Sequence, residues 1–218
     1  MTMIYISRHS EPISFNLLNY IDEEKQQYEN ERLVLSENGE RIAKKLSECE
    51  EMQKIDVVFS SHYIRAISTA KYVAERNNLK ININKQFGER IHGVDKWDNL
   101  PSDFGEKQFN DWDYKLENGE SLNEVSKRMY NGLIDVLEKY SGKNILIVSH
   151  GMAFTCLLSM FCELNFNNGP NRLPGLYFND KLIFDGKWSY CKTFKLEFDS
   201  DNKLINIENI KFDEVDSI

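Results

Sequence analysis

Three short apolar runs set the terms for this chain: Met3-Ile4-Tyr5-Ile6-Ser7-Arg8, Ile55-Asp56-Val57-Val58-Phe59-Ser60-Ser61 and Asn144-Ile145-Leu146-Ile147-Val148-Ser149. Each is short, apolar and rich in β-branched or aromatic residues, and so reads as a buried strand. Between them the apolar period changes. Gly39 to Met52 carries Ile42, Ala43 and Leu46 on one helical face, Ile64 to Arg76 reads as a second helix, and Leu122, Val125, Met129, Leu133, Val136, Leu137 and Tyr140 form a long stripe at helical spacing. Each stripe is a core face. Strands that alternate with helices predict a mainly parallel sheet with right-handed crossovers, covered by helices on both sides. Near the C-terminus, Tyr190 to Phe198 and Leu204 to Phe212 alternate apolar and polar residues around Ser200-Asp201-Asn202-Lys203, a hairpin that closes the sheet edge. The expected fold class is α/β, a three-layer α/β/α sandwich.

The strand ends carry the chemistry. His9 follows the first run and His150 the third, while Arg8 stands beside His9 and Arg65 lies just beyond the second run. Open α/β sheets bind ligands in the crevice outside the carboxyl ends of their strands, which would bring these side chains into one pocket. Guanidinium cannot lose its charge and binds phosphate oxygens bidentately. Two imidazoles and two guanidiniums therefore describe a site for a tetrahedral, doubly charged oxyanion, a phosphoryl group.

These residues stand in motifs that resemble the histidine phosphatase superfamily, the phosphoglycerate mutase-like fold. Arg8-His9-Ser10-Glu11 is similar to its Arg-His-Gly-Glu opening, Leu33-Val34-Leu35-Ser36-Glu37-Asn38-Gly39 to its entry into the first long helix, and Ser60-Ser61-His62-Tyr63-Ile64-Arg65-Ala66-Ile67-Ser68-Thr69-Ala70 to its arginine box. Glu89-Arg90-Ile91-His92-Gly93 resembles the segment that bears the acid, Gly119-Glu120-Ser121 the helix opening, and Val148-Ser149-His150-Gly151 the second histidine motif. The resemblance implies that His9 attacks phosphorus, that Arg8, Arg65 and His150 hold the non-bridging oxygens, and that Glu89 protonates the leaving oxygen and later activates water. It also makes Ser10, Asn16, Arg90 and Gly151 candidates for substrate contact. Ser10 stands where the family has glycine, Asn16 is one residue beyond the family's asparagine offset, and His62 occupies a position where many relatives have proline. Glu120, beside Ser121, reads as part of a helix entry that acts through the helix dipole.

Composition bounds the rest. With 218 residues and 41% hydrophobic content the chain can bury a substantial core, and a single domain over residues 1–218 is expected, with a small helical cap over the pocket around residues 94–118. In that cap Trp97, Phe104, Trp112 and Tyr114 either line an apolar entrance for the leaving group or form the cap's own core. A net charge of −8 argues against nucleic acid and anionic membrane as partners. Cys49, Cys156, Cys162 and Cys191 show no close paired spacing and read as buried free thiols, and no metal or cofactor is expected. A basic-then-apolar leader is absent, which makes a cytoplasmic protein the default; a homodimer is open. Three functions compete: a phosphomonoesterase for a small phosphorylated metabolite, a cofactor-dependent phosphoglycerate mutase, and a non-catalytic phospholigand-binding module. Mutases of this family carry a much longer insertion than residues 94–118 after the acid segment, which favours the hydrolase.

Overall fold

The computed structural model describes residues 1–18, 22–166 and 174–210. Along the chain come β1 (Thr2–Arg8), α1 (Gln26–Arg32), α2 (Glu37–Glu48), β2 (Val57–Ser60), α3 (Ile64–Arg76), β3 (Ile81–Ile83), α4 (Phe104–Asn110), α5 (Leu122–Lys139), β4 (Asn144–Ser149) and α6 (Gly151–Leu158). Five further strands complete the description: β5 (Glu163–Phe166), β6 (Pro174–Phe178), β7 (Lys181–Phe184), β8 (Thr193–Phe198) and β9 (Leu204–Ile210).

The main sheet has the order β3-β2-β4-β1-β8-β9. β3, β2, β4 and β1 run parallel, and β8 and β9 add antiparallel pairs on the β1 side. The three apolar runs thus become neighbours at the centre of one sheet, and the C-terminal hairpin closes its edge. Residues 211 and 212 of the expected hairpin lie outside the described residues.

Alternation along the strands builds the two outer layers. Tyr5, Val58, Leu146 and Val148 face α2 and α3, packing on Ile42, Leu46, Ala66, Ala70 and Val73. Ile4, Ile6, Ile145 and Ile147 face the other way, onto Met129 and Leu133 of α5 and Phe154 and Leu157 of α6. A sheet buried on both faces needs apolar residues at consecutive positions, and that is why these strands read as unbroken runs. Local chemistry sets the helix starts. Ser36 Oγ accepts from Gly39 N at 2.9 Å ahead of α2, and Ser121 and Glu124 form a reciprocal capping box ahead of α5 at 3.1 and 3.0 Å.

Two features were not expected. β3 has three residues, too few to show a period, and joins the parallel edge beside β2. β5, β6 and β7 form a separate antiparallel three-stranded sheet that packs Leu176 and Phe184 into the α5–α6 core. No cysteine among the described residues is in a disulfide; Cys156, Cys162 and Cys191 are buried. No helix among the described residues is long and apolar enough to cross a membrane.

Candidate active site

Parallel pairing of β1 with β4 sets Arg8 opposite Ser149, so the next residues, His9 and His150, leave the sheet side by side. Their rings lie 5.1 Å apart, edge to face. His9 N donates to Ser149 O at 2.9 Å, and Ser61 N, from the neighbouring end of β2, donates to Val148 O at 2.9 Å. Three strand ends therefore meet at one place, as a switch-point crevice requires.

Arg65, in the first turn of α3, binds both rings. Its Nε donates to His9 Nε2 at 3.1 Å and its Nη2 to His150 Nδ1 at 3.3 Å, while Nη1 donates to the backbone and side-chain oxygens of Asn30 on α1. An arginine has only N–H groups to offer, so the ring atoms it meets are acceptors. That assigns the tautomers. His9 carries its proton on Nδ1, which donates to Ser10 O at 2.7 Å, and His150 carries its proton on Nε2, which donates to Ser61 Oγ at 2.8 Å. Burial, followed by the guanidiniums of Arg65 and Arg8, holds His9 well below the ordinary imidazole value, and burial with Arg65 does the same for His150. Both rings are neutral at neutral pH. Arg8 donates to Trp188 O and stacks on Tyr190, its guanidinium carbon 4.8 Å from the ring centre.

Ser10 is fully buried and its hydroxyl turns away from the rings, donating to Gly39 O at 2.7 Å, while its N–H donates to Thr69 Oγ1 at 2.9 Å. Its φ is not positive, so the β-carbon that replaces the family glycine brings no left-handed strain. The glycine that close approach does require is Gly39, where a β-carbon would lie 2.0 Å from Glu11 O. Glu11 is committed to this joint as well, accepting from Ser36 Oγ and from Asn38 Nδ2. Asn16 lies exposed on a 3-10 turn, Phe15–Leu17. Gly151 opens α6 with the Trp188 ring behind it, 3.0 Å from where a β-carbon would be.

Glu89 is half-buried, and its Oε1 accepts from Arg90 N at 2.9 Å and from Ala153 N at 3.1 Å. Ala153 is in the first turn of α6, whose N-cap His150 offers no side-chain cap, so Glu89 fills that place. The carboxyl is thereby held at the first turn of α6, three residues beyond His150. Arg90 points toward the 94–118 segment: its Nη1 donates to Gln108 Oε1 at 2.6 Å, and its Nη2 donates to His92 Nε2 at 3.1 Å. Burial and Arg90 push His92 down to about 4. Phe104 is buried and packs with His92 and Tyr114 as the segment's own core, whereas Trp112 packs on the main core. His62 stands one ring away from His150, edge to face with Tyr63 at 4.8 Å, and Tyr63 in turn edge to face with His150 at 4.5 Å. Glu120 does not act through the dipole of α5. Its carboxylate pairs with Arg128, Nε to Oε1 at 2.6 Å, and the capping is done by Ser121.

Asn30, Ser61, Thr69 and Trp188 orient the site and were not singled out from the sequence. Trp188 acts on Arg8 through its backbone carbonyl, which leaves no residue-type signal, and Asn30 meets Arg65 through both its carbonyl and its side-chain oxygen. Ser61 and Thr69 stood within a quoted motif, and their hydroxyls are what that motif supplies here.

This geometry agrees with what comparison finds. A family profile described as "Histidine phosphatase superfamily (branch 1)" matches residues 4–175. A protein of Yersinia pestis named "Probable phosphoglycerate mutase GpmB" is 30% identical over 173 residues, 75% of this chain and 76% of its own. Among solved structures, a mycobacterial glucosyl-3-phosphoglycerate phosphatase superposes with a TM-score of 0.68 at 17% identity, covering 96% of this chain and 98% of its own. A phosphoserine phosphatase mutant from Entamoeba histolytica does so with a TM-score of 0.65 at 19% identity, covering 95% and 97%. Paired histidines at adjacent strand ends, bridged by one arginine on a mostly parallel sheet, are thus accompanied by a profile match over most of the sequence, and the chain belongs to the histidine phosphatase superfamily.

Proposed function

We propose that the protein is a metal-independent phosphomonoesterase that hydrolyses a small phosphorylated metabolite through a phosphohistidine on His9. The observation that carries this reading is the state of His9: a neutral ring, its Nδ1–H held by Ser10 O, with Nε2 as the free-pair nitrogen facing Arg65. Phosphoryl transfer depends mainly on positioning and charge stabilisation. An arriving phosphate offers Arg65 oxygen acceptors in place of the two imidazole nitrogens it now meets, with His150 beside it and Arg8 closing the other side. Nε2 then forms the P–N bond as the ester P–O bond breaks, and the alcohol departs with the proton of the Glu89 carboxyl. Water attacks phosphorus in the second step, gives its proton to Glu89, and inorganic phosphate leaves with His9 restored. One carboxyl serves as acid and then base.

The relatives named phosphoglycerate mutase support a second reading, transfer of the same phosphoryl group back to a substrate hydroxyl. The phosphatases among the structural neighbours and the short 94–118 segment favour water as acceptor. Trapping tests the nucleophile: wild type should yield an acid-labile, base-stable phosphoprotein that His9→Ala lacks, with turnover abolished and the fold intact. His9→Ala turning over at more than a small fraction of the wild-type rate contradicts the assignment. Phosphate release measured against phosphoryl transfer to 3-phosphoglycerate separates hydrolase from mutase, and an inert wild type that still binds phosphate selects the binding module.

A further inference from the structure

We propose that Arg128, together with Glu120, is the positioning residue for the acid Glu89; the inference rests on the reading of Glu89 given above. Arg128 lies in the second turn of α5 and has five N–H donors. All five are used. Nε donates to Glu120 Oε1 at 2.6 Å and Nη2 to Glu120 Oε2 at 2.8 Å, a bidentate pair. The remaining hydrogens go to the backbone of the acid segment: Nη1 donates to Gln86 O at 2.7 Å and Gly88 O at 2.9 Å, and Nη2 to Glu89 O at 3.1 Å. The one carbonyl Arg128 skips, Phe87 O, accepts from Ser149 Oγ at 2.6 Å, and Ser149 immediately precedes His150. Glu120 ties the far end of the segment, accepting from Ile91 N at 3.0 Å while its own N–H donates to Ile91 O at 2.8 Å.

Residues 88 to 92 belong to no helix or strand, so no backbone ladder fixes their position. The guanidinium substitutes for one, fixing the Glu89 backbone and leaving only the side-chain torsions to place the carboxyl. The pair itself is at the rim, with side chains 21% and 19% exposed. Its effect on chemistry therefore passes through Glu89.

The test compares an alkyl phosphate, whose alkoxide needs a proton to leave, with p-nitrophenyl phosphate, whose phenolate does not. In single-turnover phosphorylation of His9, Arg128→Gln is expected to slow the alkyl ester by about 10- to 10²-fold, the scale of a small misplacement, and to leave the aryl ester and both KM values near wild type. In a Glu89→Gln background the same change should add no further loss on the alkyl ester, because two residues acting through one function are not additive. Arg128→Lys, with three donors, should recover part of the rate, and Glu120→Gln should reproduce the leaving-group split; these two variants carry the comparison where Arg128→Gln does not fold by circular dichroism. Equal losses on both esters, or a full additional loss in the double variant, overturn the positioning role while Glu89→Gln still shows the split. If Glu89→Gln shows no split, the acid assignment fails and the proposal with it.

Discussion

The proposed attack needs an unprotonated imidazole, and His9 is kept so by being buried between two cations rather than by a neighbouring base. The same physics makes the protein acid-sensitive. His9, His62, His92 and His150 all lie below the ordinary value near 6.5 in the folded chain, so below about that pH the unfolded chain binds more protons. Their depressed values leave stability fully present above about pH 6.5 and remove it as pH falls, for His92 down to about 4. The thermal midpoint should accordingly drop between about pH 7 and about pH 5, and His92→Gln, which retains an acceptor for Arg90, should shallow that slope. A slope identical in the variant would contradict the assignment of His92. At this scale the sequence was legible where side chains converge at the strand ends, as at Arg8, His9, Arg65 and His150. It was less so where a side chain only anchors: the Ser10 hydroxyl goes to Gly39 O, and nothing in residue type announces that partner.

Elements whose limits are set by near neighbours were readable for that reason. The Ile64–Arg76 helix and the three apolar strands appear where their periods placed them, and Ser121 opens α5 through a box closed within four residues. β3 and the β5–β7 sheet depend on partners elsewhere in the chain, and their short runs carry little period of their own. The α5 box gives a direct measure of local control. Ser121→Ala removes an N-cap oxygen and should cost about 1 kcal/mol. It should lower the urea midpoint at unchanged slope. Because Glu120 and Arg128 keep their own contacts, turnover should stay near wild type; a large loss of activity with little loss of stability would show that the cap reaches the acid segment.

For the whole molecule, the notable contrast is a net charge of −8 around a cluster of guanidiniums. The positive potential is local, made by Arg8 and Arg65 at buried strand ends where solvent screens them weakly. Charge neutralisation of the transferring group is assigned to those two side chains, so activity should survive exhaustive treatment with EDTA. Loss on chelation that Mg²⁺ or Zn²⁺ restores would assign that role to a metal instead. The layer order and the meeting of strand ends followed from the sequence because parallel crossovers leave few alternatives. The roof contributed by α1, through Asn30 on Arg65, and the backing by Trp188 did not, since each joins residues far apart in the chain.

The central place of β1 also has a bearing on the order in which the molecule comes into being. The strand that delivers Arg8 and His9 is made before both of its flanks, β4 and β8, paired as Met3 with Asn144 and Thr2 with Phe198. During synthesis the His9 strand therefore waits for both of these later strands. His9 gains its companion ring only when residue 150 has emerged, and Arg8 gains its anchor only with Trp188. A nascent or truncated chain holds the first histidine motif without the site, so the proposed phosphoryl chemistry is available only to a chain completed well past His150.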